Sequence, residues 1–583
     1  MPTLNWIGKD KVVSHHQDVP YKVLEHQYGF TADNGQQKTE TNSGNKIIKG
    51  DNLEALKALL PEYEGKIKCI YIDPPYNTGN EGWVYNDNVN HPKIKKWLGE
   101  VVGKDGEDLT RHDKWLCMMY PRIKLLQKLL DSNGVLFISI GDDEFATLKM
   151  MCDEIFGRKN FLASFIWNTE GNTDNQLEIK INHEYVLVYL KNWQNKSISI
   201  GKVIDPNTRE DSNLWKGLAD NNINKNNKRN PPVTVTLPIG FPCTEETLFY
   251  EKKILDTAFF EETKEDRLIS DEVKEKYNIE NNSGLPVKID DMVIENFKLK
   301  KECKIYGGLA NHNKLKDFIE NSCNPIKDAE GNELVFYLNK NAAVRYRKEK
   351  PNPRNILSVL RNFGTTEKMK TELKKSAIKF DYPKPLDLIK YLVAIGAPNE
   401  NSIILDSFAG SGTTAHAVLE QNKVDNGKRK FILVEMEEYA NAVTAQRIKV
   451  AINGYKDEQK EKINDSFDFY ELGKPIFKKD NNLNESIGEE KIRNYIYYTE
   501  TKQPLSKKQE TDKKYWLDNH NQTGYYFYYE KDRLTTLDLD TLSIVANQQE
   551  QYIIYADHCL LDAEYMLEKN IIFKKIPRDI KRF

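Results

Sequence analysis

Four residues at the end of a short apolar run, Asp73-Pro74-Pro75-Tyr76, form the most specific chemical pattern in this sequence. Two consecutive prolines fix the backbone and remove two N–H donors, so the carbonyls of this segment stay available as acceptors. The Asp73 carboxylate and the Pro74 carbonyl can then both accept from one exocyclic amino group. An amine held in this way is more tetrahedral and exposes its lone pair to a methyl donor. Tyr76 offers a ring on which an extruded base can stack. A proline-terminated strand with an incidental tyrosine is the alternative.

A second candidate site is a glycine-rich segment that follows an apolar run and precedes a helical pattern. Two glycines let a backbone approach a ligand closely, and the N-terminus of a helix offers unpaired N–H groups. The segment lacks both G-x-x-x-x-G-K-[ST] and G-x-G-x-x-G, which disfavours a P-loop and a nicotinamide cofactor. A ligand with a carboxylate and a nucleoside, such as S-adenosylmethionine, fits the pattern, and glycines that serve only packing are the alternative. The candidate binding residues of this turn are Asp406, Phe408, Ala409, Gly410, Ser411, Gly412 and Thr413.

An acidic residue ends the next apolar run along the chain. Glu435 follows residues 431–434, at about the 20-residue spacing from the glycines at which a carboxylate accepts from ribose hydroxyls in dinucleotide-binding folds. A carboxylate that complements the dipole of the next helix is the other explanation.

Alternating strand and helix patterns must position these residues. Because strand–helix alternation requires crossover connections, we expect the strands to form one open parallel sheet, with ligands beyond their carboxyl ends. The strands are predicted at residues 47–48, 67–72, 134–140, 161–167, 184–190, 403–405 and 431–434. The helices are predicted at residues 53–60, 114–130, 386–395, 414–420 and 440–452.

Composition sets outer limits on the function. The chain has 583 residues, with 85 Lys+Arg against 88 Asp+Glu, which excludes a polycation that coats nucleic acid and also an acidic tail protein. No apolar run is long enough for a membrane span, and the start lacks the apolar segment of a signal peptide. Seven cysteines without a C-x-x-C pair argue against a structural zinc site or a disulfide framework. We therefore expect a reducing cytoplasm and no membrane association.

The order of the patterns predicts five segments. Between the two strand-and-helix regions lies a stretch rich in Asn, Lys and Glu without long apolar runs, which we interpret as an inserted α+β region. The predicted segments are an N-terminal extension with little core of its own at 1–45, a first catalytic part at 46–200, the insertion at 201–375, a second catalytic part at 376–455 and a C-terminal domain at 456–583.

The two motifs together resemble those of the amino-methyltransferases of DNA. Asp-Pro-Pro-Tyr precedes Phe-Ala-Gly-Ser-Gly-Thr-Thr, with an insertion between them, in the circularly permuted order of the β class. Other segments resemble the modification (Mod) subunits of type III restriction–modification systems. These segments are residues 4–9 (LNWIGK), 79–88 (GNEGWVYNDN), 111–115 (RHDKW), 183–185 (HEY) and 380–385 (FDYPKP). The resemblance covers residues 1–200 and 375–455, and elsewhere the chain matches only in position.

This resemblance implies a fold, an activity and a set of partners. The fold is α/β: a Rossmann-like class I S-adenosylmethionine-dependent methyltransferase fold, circularly permuted, with an inserted α+β target-recognition domain and a C-terminal domain. The activity is adenine N6 methylation of double-stranded DNA with S-adenosylmethionine as cofactor and no metal. The expected partners are a second copy of the chain and a restriction subunit with helicase and nuclease activity, in a bacterial cytoplasm.

The resemblance also assigns roles to residues. It implies catalysis by the Asp73–Tyr76 segment, with Asp73 also near the cofactor, and donor contacts by the glycine turn and Glu435. Lys384 meets the methionine carboxylate and Asp51 faces the donor adenine. Two alternatives stay open, since Asp51-x-x-Glu54 is also a helix-capping pattern and Lys384 precedes a helix as a solvated lysine would.

Rival chemistries use related signatures. Cytosine N4 methylation needs the same two acceptors, although Asp73 in place of Ser favours adenine. Pro242-Cys243 could suggest cytosine C5 chemistry, but it lies inside the insertion, and we interpret Cys243 as a small buried residue. Methylation of protein glutamine normally has Asn first. A DNA-binding specificity protein without catalysis is the alternative from another class.

Positive charge concentrates late in the insertion. Residues 340–379 hold twelve Lys or Arg and three acidic residues, which predicts a phosphate-binding surface, although a solvated helical face is the common alternative. A second candidate is the Asn-rich segment 221–229. The expected DNA-binding residues are Arg345, Arg347, Lys348, Arg354 and Arg361.

Overall fold

A computed structural model of the chain divides it into two compact units, residues 1–201 with 357–583 and residues 202–356. The structure describes residues 3–78, 111–169, 179, 181–201, 203–209, 211–280, 285–329, 331–349, 356–454, 462–506, 514–545 and 547–581. No helix within these ranges is both long and apolar enough to cross a membrane.

The first unit is organised around one eleven-stranded sheet. Its order is β8-β6-β7-β5-β4-β9-β10-β3-β11-β1-β2. In chain order the strands are β1 (Lys22–Thr31), β2 (Gly35–Gln37), β3 (Lys46–Lys49), β4 (Ile67–Ile72), β5 (Leu130–Ile140), β6 (Phe161–Asn168), β7 (His183–Leu190), β8 (Val359–Leu360), β9 (Ile403–Asp406), β10 (Lys430–Glu435) and β11 (Ser466–Pro475). The central strands carry apolar side chains on both faces, as expected of strands covered by helices on both sides.

Six helices alternate along the chain with the central strands of this sheet. They are α1 (Asn52–Tyr63), α2 (Arg111–Leu129), α3 (Asp142–Cys152), α4 (Leu386–Gly396), α5 (Thr413–Asp425) and α6 (Gln446–Asn453). These positions confirm the predicted order of strands and helices to within a few residues. The predicted helix at 440–452 is interrupted, because residues 438–445 form a 3-10 turn and a π turn before α6 begins.

The order of the central strands creates a crevice. β4 lies between β5 and β9, parallel to both, so Ile70 is level with Leu136 on one side and Leu405 on the other. The chain leaves β4 toward β5 and leaves β9 toward β10, in opposite directions. The segments that follow β4 and β9 therefore diverge, and this switch point is where open α/β sheets bind ligands.

The sheet is mixed, and the prediction of an entirely parallel sheet was wrong. β7 runs antiparallel to both of its neighbours, β5 and β6. An apolar run shows that a strand is buried but carries no information about its direction. The Rossmann-like arrangement of the central strands, with its inserted unit, is otherwise the fold class expected.

The predicted segment boundaries differ from the structure at three places. Residues 1–45 contribute β1 and β2 to the sheet, and Val12 and Val19 are buried in its core. β8 pairs with β6, so residues 357–375 belong with the sheet and not with the insertion. β11 pairs with β3, which joins the start of the C-terminal segment to the same sheet. Non-local pairing of this kind leaves no local signature in the sequence.

The remaining helices of the first unit are shorter or peripheral, and the C-terminal region adds its own sheet. The helices are Lys9–Val12, His15–Asp18, Lys196–Ser199, Thr366–Lys375, Glu489–Thr501 and Ala563–Glu568. The C-terminal strands are Trp516–His520, Thr523–Phe527, Gln551–Ala556 and Ile571–Lys575, with a separate pair at Thr536–Leu537 and His558–Cys559.

The second unit is α+β and has a core of its own. One four-stranded sheet is built from Ile326–Lys327, Glu333–Leu338, Val344–Glu349 and Leu218–Asn222, in that order. Two three-stranded sheets are built from Thr247–Tyr250, Met292–Glu295 and Lys298–Leu299, and from Val287–Lys288, Cys303–Gly308 and Pro232–Leu237. Its helices are Thr257–Asp266, Asp271–Lys276 and His312–Glu320.

Candidate functional site

The Asp73–Tyr76 segment begins where β4 ends, at the edge of the crevice. The indole N–H of Trp115, a fully buried residue of α2, donates to the Pro75 carbonyl over 2.7 Å. No donor among the described residues reaches the Pro74 carbonyl. Of the two proline carbonyls, only that of Pro74 is therefore available to accept from a ligand.

Tyr76 is buried with its ring against the start of α3. A Cβ at Gly141, the N-cap of α3, would lie 3.2 Å from the Tyr76 ring, so a side chain there would crowd it. The Tyr76 hydroxyl donates to Glu184 over 2.6 Å. Glu184 lies on the antiparallel strand β7, which brings its carboxylate toward the end of β4.

Lys384 brings two carboxylates together at this point. Its ammonium lies 3.2 Å from Asp73 and 2.9 Å from Glu184, and it donates to the Tyr76 hydroxyl over 2.8 Å. The side chains of Lys384 and Asp73 are 6% and 12% exposed, whereas Glu184 is 23% exposed and is the most accessible of the three. Two carboxylates and one ammonium give this cluster a net charge of −1.

Burial and pairing act in opposite directions on these groups. Burial raises the pKa of the Asp73 carboxyl, and the neighbouring Lys384 ammonium opposes this shift. Burial alone would lower the pKa of Lys384, but the carboxylates of Asp73 and Glu184 outweigh it and the pKa is raised. Lys384 therefore stays charged at neutral pH and favours an ionised Asp73, which is the form that accepts from an amine.

A buried glutamate supports the next residue of the segment. The Asn77 side-chain amide donates to Glu144 over 2.5 Å, and His112 Nδ1 lies 2.7 Å from the same carboxylate oxygen. Asn77 has a φ of +59°, a left-handed conformation that asparagine tolerates better than most residues. Glu144 is fully buried, so it fixes the exit of the chain from the site.

The glycine turn is built at the end of β9. The Asp406 carboxylate accepts from the Phe408 N–H over 3.0 Å and from the Thr414 hydroxyl over 2.5 Å, closing the turn. Gly410 and Gly412 have φ values of +52° and +81°, and a Cβ at Gly412 would lie 3.2 Å from the Thr444 carbonyl. Both conformation and space therefore require glycine at position 412. Burial raises the pKa of Asp406 to about 7.

Two buried side chains hold this turn from below. The Glu435 carboxylate, at the end of β10, accepts from the N–H groups of Gly410 over 2.7 Å and of Glu437 over 3.0 Å. Arg447 of α6 donates to the Ser411 hydroxyl over 2.8 Å and to the Thr413 hydroxyl over 2.7 Å. Burial raises the pKa of Glu435 to about 8.

The two strand ends enclose a cleft of about 280 Å³. On one side lie Asp73 and Lys384, and on the other side lies the turn that leads into the N-terminus of α5. The lining residues are Tyr71, Asp73, Phe380, Tyr382, Pro383, Lys384, Asp406, Phe408, Ala409, Gly410, Ser411, Thr413 and Thr414. A cleft with both aromatic and polar lining, beside a carboxylate that can accept from an amine, can hold a small donor molecule next to a nucleophile.

A family model described as DNA methylase, for N6 and N4 enzymes, matches residues 67–447, which include both strand ends and the cleft. This chain belongs to the DNA methylase family. The type III restriction–modification enzyme EcoPI Mod subunit of Escherichia phage P1 is 31% identical over 487 residues. The EcoP15I Mod subunit of Escherichia coli is 30% identical over 451 residues. Each comparison covers 75% of this chain and 64% of the relative, so the match spans less than two thirds of either relative.

Most of the residues predicted for the cofactor lie together in this DNA methylase. The cleft is lined by Asp73, Lys384 and six residues of the turn, which are Asp406, Phe408, Ala409, Gly410, Ser411 and Thr413. Asp51, Gly412 and Glu435 are not among the lining residues. Gly412 caps α5 and Glu435 holds the Gly410 N–H, so both support the turn from behind.

Asp51 caps α1, as the second interpretation of its pattern predicted. One carboxylate oxygen accepts from the N–H groups of Leu53 over 2.9 Å and Glu54 over 3.3 Å. The other oxygen lies 3.4 Å from the buried Arg122 guanidinium. A contact of Asp51 with the donor adenine stays a prediction.

Three residues of the DNA methylase site were missed in the sequence. Glu184 lies in the HEY segment and Trp115 in the RHDKW segment, both of which carried the family resemblance. Neither segment by itself indicated a contact with the Asp73–Tyr76 segment. Arg447 gave no signal at all, because a single arginine in a helical pattern is normally exposed. In the structure it is 1% exposed.

The predicted DNA-binding residues do not form one surface. Arg345 and Arg347 lie on one face of the four-stranded sheet, where their cross-strand neighbours are Tyr337 and Val335. Lys348 lies on the other face. Arg361 belongs to the first unit, and Arg354 lies outside the described residues. Within the described part of the chain, Arg345 has no hydrogen bond or ion pair to its guanidinium. Arg347 is paired with Asp220 at 3.0 Å and Lys348 with Asp328 at 2.5 Å.

Proposed function

We propose that this DNA methylase is an S-adenosylmethionine-dependent DNA adenine N6 methyltransferase, the modification subunit of a type III-like restriction–modification system. One observation carries the proposal. The Asp73 carboxylate and the available Pro74 carbonyl lie at the end of β4, and the ligand cleft extends from there to the glycine turn after β9. An acceptor pair for an amine thus adjoins a site for a methyl donor.

The cleft suits S-adenosylmethionine by its chemistry. The carboxylates of Asp73 and Asp406 complement a sulfonium, while the Thr413 hydroxyl and the N-terminus of α5 complement a carboxylate. Glu435 does not line the cleft, so the contact with a ribose hydroxyl that the resemblance implies stays a proposal, and its observed role is to hold the Gly410 N–H. When bound, the cofactor supplies an electrophilic methyl group.

The residues of the chain hold and orient the other reactant. Asp73 and the Pro74 carbonyl accept the two hydrogens of the target amine, which directs its lone pair toward the cleft. Tyr76 offers its ring to the extruded base, and the Trp115 bond to Pro75 fixes the backbone between them. Burial raises the pKa of Asp73, and the Lys384 ammonium opposes this shift and so favours the ionised form.

Cytosine N4 methylation is the runner-up. An exocyclic amine of cytosine needs the same two acceptors, and the family model covers N6 and N4 enzymes alike. The aspartate at position 73 and the similarity to Mod subunits over 75% of the chain favour adenine. The methylated base itself distinguishes the two.

The partners follow from the same relatives. We propose the partners that the resemblance to type III modification subunits implies: double-stranded DNA, a second copy of the chain and a restriction subunit with helicase and nuclease activity. Because the compared relatives extend beyond the matched region, each of these partners is proposed for this chain and awaits direct test. We propose a bacterial cytoplasm as the compartment, because it contains the double-stranded DNA on which the enzyme would act.

The second unit is proposed to select the DNA sequence. Arg345 lies on the face of the four-stranded sheet turned away from its core, beside Asn222 on the neighbouring strand, and its guanidinium has no partner among the described residues. Arginine and asparagine are the side chains that read guanine and adenine edges in the major groove. Arg347 is held by Asp220 and stacks over Tyr337 at 5.2 Å, which makes it part of the supporting surface.

Transfer of tritiated methyl groups from S-adenosylmethionine to duplex DNA tests the proposal. We expect the wild-type chain to label DNA, and the Asp73→Ala and Tyr76→Ala variants to bind DNA with unchanged affinity but to transfer at least a hundredfold less. The matched control is Asp425→Ala, at the far end of α5, which should retain transfer. DNA binding without any transfer by the wild type would instead indicate a specificity subunit that lacks catalysis.

A further inference from the structure

The adenine amine loses a proton when it becomes methylated, and this proton must pass from the site to solvent. This step rests on the proposed function. The amine nitrogen forms a bond to the methyl carbon, the bond from that carbon to the donor sulfur breaks, and one N–H proton must leave. Asp73 is the nearest base; its side chain is 12% exposed and borders the cleft that the donor and the target base would fill.

We propose that Lys384 and Glu184 form the route by which this proton leaves Asp73. The Lys384 ammonium is in contact with both carboxylates, at 3.2 Å from Asp73 and 2.9 Å from Glu184. It can give one proton to Glu184 while it takes the proton of Asp73, so its own charge does not change. Glu184 then releases the proton to solvent, to which it is 23% exposed.

The charges of the cluster fit this role. With Asp73 and Glu184 ionised and Lys384 protonated, the cluster has a net charge of −1 and can take up one proton without creating an excess positive charge. The Tyr76 hydroxyl donates to Glu184 over 2.6 Å and receives the Lys384 N–H over 2.8 Å. Hydrogen bonds thus join Lys384, Tyr76 and Glu184 to one another, and the Lys384 ammonium also lies 3.2 Å from the Asp73 carboxylate.

The proposal assigns Lys384 a role different from a contact to the methionine carboxylate. A lysine that only binds the donor should be replaceable by arginine, because guanidinium keeps the charge and binds carboxylates well. A lysine that passes protons should not be replaceable, since arginine does not lose a proton in proteins. Lys384→Arg therefore separates the two roles.

The experiment follows methyl transfer by the full-length chain in rapid-quench time courses with excess DNA. The first turnover needs only an ionised Asp73, whereas later turnovers need Asp73 to lose its proton. For Lys384→Arg and Glu184→Gln we expect a first turnover within about threefold of the wild type, followed by steady-state turnover at least tenfold slower. Glu184→Asp, which keeps a protonatable group, should recover part of the loss. Donor affinity and thermal unfolding should stay close to wild type for all three.

A readout independent of rate uses infrared difference spectra after one turnover. The slow variants should show the band of a protonated carboxyl group, and the band should be absent when Asp73 is replaced by Asn. Equal losses in the first and later turnovers, or wild-type turnover by Lys384→Arg, would overturn the proposal. If the Lys384 variant showed only weaker donor binding, the proposal would be overturned, and Lys384 would instead be a contact to the donor. Absence of transfer by the wild type would remove the proposed function as well as the route.

Discussion

Trp115 and Pro75 are joined by a hydrogen bond of 2.7 Å that links the second turn of α2 to the end of β4. The bond uses the Pro75 carbonyl and leaves that of Pro74 without a donor among the described residues. A proline pair alone would offer two carbonyls and no preference between them. The tryptophan therefore distinguishes the two proline carbonyls, and on the proposed function it leaves that of Pro74 to accept from the target amine.

Replacing Trp115 by Phe should remove this bond and keep most of the packing. The Pro75 carbonyl would remain buried without a donor, which costs about 1–3 kcal/mol in the free energy of unfolding. We expect methyl transfer to fall by roughly tenfold or more, measured with saturating donor alongside urea denaturation. Trp6→Phe is the matched control, because it removes an indole donor to Cys117 at 3.3 Å. A loss of transfer as large in Trp6→Phe would contradict the explanation.

Arg447 should control the affinity for the donor without touching the cleft. Arg447→Met leaves the hydroxyls of Ser411 and Thr413 without their buried donor, and two lost hydrogen bonds correspond to about tenfold in affinity. Isothermal titration with S-adenosylmethionine measures this change. Arg429→Met also removes a buried arginine, but near the other end of α5, so donor affinity should stay unchanged. Equal losses in both variants would indicate general destabilisation.

Glu435 should make stability depend on pH in a defined direction. Its folded-state pKa of about 8 lies above the ordinary value of 4.5, so its protonated form favours folding and this contribution disappears as pH rises toward 8. Relative to Glu435→Gln, the wild type should lose up to about 1.4 kcal/mol per pH unit between pH 5 and 8. Urea denaturation of both proteins across this range provides the test. Parallel stability profiles would show that Glu435 titrates normally.

Arg345, on the face of the four-stranded sheet turned away from its core, should contribute to DNA binding. Arg345→Gln should weaken binding of a cognate duplex by roughly tenfold and relax the choice of base, as the loss of a base contact does. Lys348→Gln removes the same charge from the opposite face, where Asp328 already pairs with the lysine, and should bind almost normally. Fluorescence anisotropy at constant salt compares the two. Similar weakening by both would favour a non-specific effect of charge.

The sequence was sufficient for the central strands and for both motifs. Apolar runs that end at Asp73 and Asp406 located β4 and β9, and the glycines located the turn between β9 and α5. Local periodicity is adequate there because each strand is buried on both faces and each motif is contiguous. The direction of β7 could not be obtained in this way, since burial is the same for both directions.

The contacts that complete the site could not be predicted for a different reason. Lys384 lies 308 positions from Tyr76 and 200 positions from Glu184 in the chain, yet the three side chains bond to one another. Such pairs depend on which strands become neighbours, and the sheet order β7-β5-β4-β9 decides this. Strand β1 shows the same limit, because its partner β11 follows more than 400 residues later in the chain.

Modified-base sequencing of DNA from cells that express this chain tests the central claim most directly. If Asp73 and the Pro74 carbonyl hold an adenine amine next to the donor cleft, N6-methyladenine should occur within one sequence motif. The Asp73→Ala variant should leave the same motif unmodified at equal expression. N4-methylcytosine in place of N6-methyladenine, or unmodified adenine throughout the DNA of cells with the wild-type chain, would contradict the claim.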